Sequence, residues 1–441
     1  MYLVGLHTKL NLTMFNNILS KIKERVLKNE FNRNVLILFG GTVVAQILPI
    51  VISPILTRLY SPEDFGAFAI FLSIVSIVSV ISCGRYELAI MLPEKDEDAI
   101  NVAALAFIIN TTVSLLFFFL ILIFKDPILN LLKADSLSFW IYLAPLTVFF
   151  MGLFNILNYT NNRFKLYKDI SKATIMKSIV NVSIQLLTGF LKEGFSGLIL
   201  GQLIAQIVAN KKLFYNIRHK GLLKDIKKDM IKVLAKKYSD FPKYSIISAL
   251  LDTASLQAPL LMISMLFASS TLVGYYSLAN RMLQLPSAFV GSSVAQIFYQ
   301  KFSQFQEEPY KQKELLYSTW KKLFIVGIIP FSIVFFFGEE IFSFIFGNNW
   351  SGAGEIASIL SPFTLVMFIS SPTSTAYIVF GMQKKNLYLN ILLLVFILLS
   401  LYIGYIVKSI YLGILLMVIT QIVQIIIYNA YINYKLKEKL Q

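Results

Sequence analysis

Apolar and polar positions along the chain are sorted into long blocks. Apolar windows of roughly 19–25 residues, separated by short polar breaks, give spans near residues 35–57, 65–84, 100–124, 137–158, 170–191 and 196–216. After a basic stretch they resume near 244–267, 272–298, 322–346, 355–380, 387–407 and 409–432. Runs of this length suit helices, at about 1.5 Å per residue, rather than membrane strands of about ten residues. In hydrocarbon every backbone amide must be paired within its own helix or within a closed barrel. The pattern therefore predicts an all-α integral membrane protein with about 12 transmembrane helices. It divides into an N-terminal segment 1–34, a first six-helix lobe 35–216, a basic linker 217–243, a second six-helix lobe 244–432 and a tail 433–441.

The two lobes carry traces of an internal repeat. Gln46 with Ile52 and Ser53 matches Gln257 with Ile263 and Ser264, and Gly66-Ala67-Phe68 matches Gly274-Tyr275-Tyr276. Pro145-Leu146-Thr147 matches Pro362-Phe363-Thr364, and Ala205-Gln206-Ile207-Val208 matches Thr420-Gln421-Ile422-Val423. Six spans per lobe is an even number, so both lobes enter the membrane from the same side and the repeat is parallel.

Composition agrees. The 441 residues are 56% hydrophobic and 15% charged, against about 25% charged in soluble domains, which excludes a soluble or disordered chain. One cysteine, Cys83, leaves no disulfide framework and reads as a small lipid-facing or packing residue. A net charge of +16 would suggest a nucleic-acid partner in a soluble domain. Here 33 of the 40 Lys and Arg fall in the N-terminal segment, the alternate loops and the tail. That distribution follows the positive-inside rule, calls for no nucleic acid and places both termini in the cytoplasm. Trp140, Trp320 and Trp350 fall at span ends, where indole rings favour the headgroup level. Met14 opens an amphipathic stretch and offers a second start to the chain. The basic linker reads as positive-inside charge or as a helix lying on anionic lipid.

Candidate chemistry is sparse. The two histidines, His7 and His219, lie in polar segments, and neither a metal-ligand spacing nor a phosphate-cradling glycine loop occurs. No enzyme, cofactor or metal is implied. Ionisable side chains inside spans cost about 2.5–3.5 kcal/mol each at mid-bilayer and so mark functional positions. Arg281 lies deep in the eighth span, Lys177 in the fifth and Asp252 in the seventh, and Arg85 and Glu87 close the second. Arg281, Lys177 and Arg85 predict a cationic cavity suited to a phosphate or diphosphate. Asp252 is a candidate for coupling a proton or a sodium ion.

The segment LTRLYSPEDFGAFAIFLSIVSIVSVISCGRYELAIMLP resembles the first two spans of bacterial polysaccharide flippases of the Wzx type. GYYSLANRMLQLP, from Gly274 to Pro286, is similar to the same family's glycine-tyrosine, alanine-x-arginine, proline pattern. The resemblance implies a member of the multidrug, oligosaccharidyl-lipid and polysaccharide exporters, with two lobes around a cavity that opens to each side in turn. It implies a substrate of the undecaprenyl-diphosphate oligosaccharide type, such as an O-antigen or capsule repeat unit, flipped across the bacterial inner membrane. Candidate partners are membrane lipids, a glycan polymerase and a chain-length regulator. It carries a cavity role to Arg281 and puts Arg58 at the outer mouth of the first span. Three readings compete: a cation-coupled multidrug exporter of the same superfamily, a cell-wall precursor flippase and a membrane glycan polymerase. The excess of intramembrane bases over acids opposes the drug exporter, and short outer loops oppose the polymerase.

Overall fold

A computed structural model describes residues 30–219 and 221–440. The N-terminal segment 1–34 and its second start at Met14 therefore fall almost wholly outside the described residues. The first lobe contains α1 (Glu30–Leu59), α2 (Pro62–Ser82), α3 (Asp96–Leu132), α4 (Ala144–Arg163), α5 (Tyr167–Phe190) and α6 (Phe195–His219). A linker helix, α7 (Lys228–Lys237), leads to α8 (Ile246–Phe267), α9 (Ser270–Leu283), α10 (Ser292–Gln304), α11 (Pro309–Phe346), α12 (Ser351–Ser370), α13 (Gln383–Ile406) and α14 (Ile410–Leu440). The described residues contain no strand.

Among the described residues ten helical stretches are long and apolar enough to cross a membrane, two fewer than the sequence pattern predicts, and both differences have local causes. The sixth predicted span is α6, an unbroken helix of 25 residues whose glutamines and asparagines dilute its hydropathy. The eighth divides into α9 and α10 around Pro286 and a π-helical turn at Ser287–Gly291, because proline cannot donate to the ladder and its ring crowds the preceding turn. α14 continues through the segment read as a tail to Leu440.

The repeat is visible in the packing. In the first lobe α1 lies on α5, α5 on α6, α4 on α6, α3 on α4 and α2 on α4. In the second, α8 lies on α13, α13 on α14, α12 on α14, α11 on α12 and α9 on α12. These five pairings correspond helix for helix.

Contacts between connections sort the two ends of the bundle. Leu59 lies beside Gly189, Asp64 accepts from the Phe195 amide at 2.8 Å, and the Ser264 hydroxyl donates to the Leu132 carbonyl. These loops share the far end. At the opposite, linker end, Arg163 donates to Asp96, to the Met91 carbonyl and to the Glu94 carbonyl at 3.0–3.1 Å.

The linker helix is docked on the first lobe. Leu234, Ile231, Ala235 and Tyr238 join a core with Ala89, Ala99 and Val102, and the Tyr86 hydroxyl donates to the Ala235 carbonyl at 2.9 Å. Asn101 accepts from the Lys227 amide at 2.7 Å and donates to the Asp225 carbonyl at 2.9 Å. The apolar face thus meets protein, which revises the lipid-facing reading, while Lys228, Lys232, Lys236 and Lys237 stay exposed. Asn101→Ala removes both clasps, each worth about 0.5–1.5 kcal/mol. It is expected to speed tryptic cleavage at these lysines severalfold, while cleavage elsewhere in the chain keeps its rate.

Candidate functional site, an interlobe cleft and a second-lobe cavity

The lobes meet along a seam at the far end, built by the two motifs that carry the family resemblance. Ser61 caps α2: its hydroxyl accepts from the Asp64 amide at 3.2 Å and Asp64 accepts from the Ser61 amide at 3.0 Å, with Pro62 in the first turn. This is a capping box with an aspartate in place of the usual glutamate. It fixes where α2 starts and so sets Gly66 against α9. A methyl group at Gly66 would stand 1.8 Å from the Ser270 carbonyl oxygen, and one at Gly274 would stand 2.0 Å from that of Pro62. Each glycine faces the carbonyl four residues before the other. This reciprocity is the signature of a local twofold relation between the lobes, and only glycine lets the backbones approach so closely.

Other groups close the same seam. Trp350 is fully buried, donates to the Thr57 carbonyl at 2.8 Å and stands edge-on to Phe65 at 5.0 Å. Tyr275 donates to the Asn349 carbonyl at 3.0 Å, and Thr271 donates to Glu63. Trp350 therefore seals the seam instead of floating at the headgroups. Trp320 likewise lies within α11 and donates to Thr373 at 2.9 Å. Span-end position alone could not separate an interfacial indole from an inter-lobe one.

Towards the linker end the lobes part. α2 is mostly buried from Phe65 to Val75 and thereafter only at Ser82, and α8 is buried at Pro259, Leu260, Ile263 and Ser264. Asp252 and Leu256, nearer the linker, are exposed. Along α9, Val273, Gly274 and Tyr276 are buried, whereas Arg281 and Gln284 are exposed. Seven residues is close to two helical turns, so Arg281 lies on the same face as Gly274, about 10 Å further in. That face points at the first lobe. Gly274 touches it, and Arg281 stands where the gap has opened. Ser73 is the repeat counterpart of Arg281; it is buried and donates to Gln257 of α8 at 2.7 Å. Arg281 has no hydrogen bond or ion pair among the described residues.

The remaining predicted bases are not gathered around it. Arg58, at the far end, donates to the Ile345 carbonyl at 2.9 Å and the Phe344 carbonyl at 3.4 Å. There its charge satisfies the open carbonyls at the C-terminus of α11. Lys177 lies 4.6 Å over the Phe154 ring, a cation–π contact inside the first lobe. Arg85, in a left-handed backbone conformation with φ 60°, approaches Glu87 at 3.6 Å at the linker end. Burial pushes the Glu87 carboxyl above its ordinary range, and Arg85 offsets this only in part.

Within the linker-end half of the second lobe, α8, α9, α12, α13 and α14 line a half-open cavity of about 450 Å³. Asp252 lines it, as do Asn280, Gln284, Ser371, Gln421 and Tyr428. Its lining holds no Lys or Arg. The sequence reading singled out Asp252 but missed the others, because the lining comes from five helices and the connection after α12 and shares no local spacing. Among the described residues no group of His, Cys, Asp and Glu could hold a metal ion.

The comparisons with known proteins accord with this geometry. A family model described as polysaccharide biosynthesis protein matches residues 55–355. The chain is 24% identical over 330 residues to the succinoglycan biosynthesis transport protein ExoT of Rhizobium meliloti (strain 1021), covering 74% of this chain and 64% of that protein. The chain thus matches just under two thirds of that relative's length. Its fold resembles the inward-facing conformation of a multidrug-resistance MATE transporter of the MOP superfamily, with TM-score 0.72, 14% identity and coverage of 90% of this chain and 98% of that one. It also resembles the lipid II flippase MurJ in an inward closed conformation, with TM-score 0.66, 13% identity and coverage of 92% and 87%. By the extent of the family match, the chain is a multi-pass membrane protein that belongs to the polysaccharide biosynthesis protein family.

Proposed function

We propose that the protein is a flippase that carries a polyprenyl-diphosphate-linked oligosaccharide, a repeat unit of a surface polysaccharide, across the bacterial inner membrane. The observation that carries this reading is Arg281, a cation exposed in the interlobe cleft with no protein partner among the described residues. An unpaired guanidinium binds a diphosphate through charge-assisted, bidentate hydrogen bonds. The same charge repels the organic cations a multidrug exporter would carry.

The linker end is read as cytoplasmic, with both termini on that side. The cleft then faces the leaflet where lipid-linked sugars are assembled, and the glycine seam closes the other side. Transport needs the two lobes to rock so that the seam opens as the cleft shuts. The lipid tail stays in the bilayer throughout. No bond is made or broken, so no catalytic residue is assigned. A glycan polymerase and a chain-length regulator would act on the delivered unit. Asp252 is proposed to couple a proton or a sodium ion, and Asp252→Asn should then abolish any dependence of transport on that ion. Transport with unchanged ion dependence would remove Asp252 from the coupling.

Depletion of the protein in its own cells tests the function. Lipid-linked oligosaccharide is expected to accumulate severalfold in the cytoplasmic leaflet, protected from an impermeant glycan-oxidising reagent, while surface polysaccharide falls. Unchanged lipid-linked intermediates would overturn the proposal.

A further inference from the structure

The second-lobe cavity differs chemically from the cleft beside it. The cleft presents Arg281. The cavity presents side-chain amides and hydroxyls from all five of its helices, the aromatic rings of Tyr276 and Tyr428, one carboxylate and no base. A diphosphate has no counter-charge there, and Asp252 would repel it. Uncharged donors and acceptors placed beside aromatic faces suit a neutral, hydroxyl-rich solute: amides bond the hydroxyls, and rings cover the apolar faces of the sugar.

The polar groups of the wall are only partly satisfied by one another. Gln284 donates to Asn280 at 2.9 Å and Gln424 to Asn390 at 3.2 Å, which leaves the carbonyl oxygens of Gln284 and Gln424 and the amide hydrogens of Asn280 and Asn390 open. The carbonyl oxygen of Gln421 is buried without a partner, a loss of hydrogen bonding that a bound hydroxyl would restore. The volume, about 450 Å³, lies in the range of about 300–1,000 Å³ typical of small-molecule sites. Asn280 and Gln284 on α9 flank Arg281 in sequence, so one helix serves the cavity and the cleft from adjacent faces.

We propose that this cavity is the saccharide subsite of the transporter, receiving neutral sugar residues of the glycan while Arg281 holds the diphosphate in the cleft. This division of labour rests on the flippase reading above. It assigns glycan selectivity to the second lobe, on helices separate from the first-lobe positions of Lys177 and Arg85.

Thiol protection in reconstituted protein separates the two subsites. Cys83 is buried, so single cysteines can be introduced by Ser371→Cys and, independently, Ser374→Cys in the cavity wall, and by Ser277→Cys one turn from Arg281. The probes are the lipid-linked oligosaccharide extracted from depleted cells, the free glycan released from it by mild acid, and undecaprenyl diphosphate. Intact lipid-linked glycan is expected to slow maleimide labelling at least fivefold in Ser277→Cys and in at least one cavity variant. Free glycan should slow only the cavity variants, and undecaprenyl diphosphate only Ser277→Cys. If lipid-linked glycan slows Ser277→Cys but neither cavity variant, the subsite is overturned and the flippase stands. Undecaprenyl diphosphate protecting the cavity variants would also overturn it. If none of the three probes protects any variant while tetraphenylphosphonium protects the cavity, both proposals fail in favour of drug export.

Discussion

Arg281→Ala is expected to lower the rate of glycolipid transport by roughly 30-fold to several thousand-fold, the equivalent of about 2–5 kcal/mol for loss of one partner of a desolvated charge pair. The thermal stability of the empty protein should barely change, because Arg281 makes no hydrogen bond or ion pair among the described residues. Arg281→Lys keeps the charge but loses the planar fork, so it should fall between wild type and alanine. Initial transport rates measured beside melting temperatures check all three points. A variant with normal transport, or one whose loss of transport follows a loss of folding, would remove Arg281 from the substrate path.

The second large effect concerns the seam. Gly66 and Gly274 bring α2 and α9 into backbone contact, and on the proposed rocking of the lobes this contact exists only while the far end is closed. Gly66→Ala or Gly274→Ala forces a methyl group onto a carbonyl oxygen, an overpacking strain of about 1–3 kcal/mol. The strain falls on one of the two conformations, so it shifts their ratio by about 5- to 150-fold towards the state that is open at the far end. Thr57, buried in the seam, reports the shift: in Thr57→Cys protein, labelling from the far side should rise by that factor when either glycine is replaced. Transport should slow, since one of its two states is disfavoured. Equal labelling with and without the glycine substitution would mean that the seam does not gate the far side.

The membrane architecture was readable from the sequence because hydrocarbon imposes a length on each apolar block. The reading was incomplete where that rule is diluted, in the amide-rich α6 and at the Pro286 break. The repeat was legible at Gly66 and Gly274 because close backbone approach tolerates no side chain at either position. The candidate site was legible only at Arg281 and Asp252, where a charge inside an apolar run is conspicuous; the same signal at Lys177 led instead to a cation–π contact inside the first lobe. Arg58 could be placed at the outer mouth from its position at a span end. Its bonds to the Phe344 and Ile345 carbonyls depend on a helix nearly 300 positions away, which no local pattern reports. The saccharide subsite was invisible for the same reason: Asn280, Gln284, Asn390 and Gln421 are ordinary polar residues until the packing of five helices brings them around one cavity.

The most direct test of a substrate path through the cleft is outer-leaflet exposure of labelled polyprenyl-diphosphate oligosaccharide in proteoliposomes, read with a membrane-impermeant reagent. Wild-type protein is expected to expose the glycan at a rate well above that of empty liposomes, and Arg281→Ala of equal fold and abundance is expected to return the rate to near that background. Exposure that is independent of the protein, or that persists undiminished in Arg281→Ala, would contradict the account.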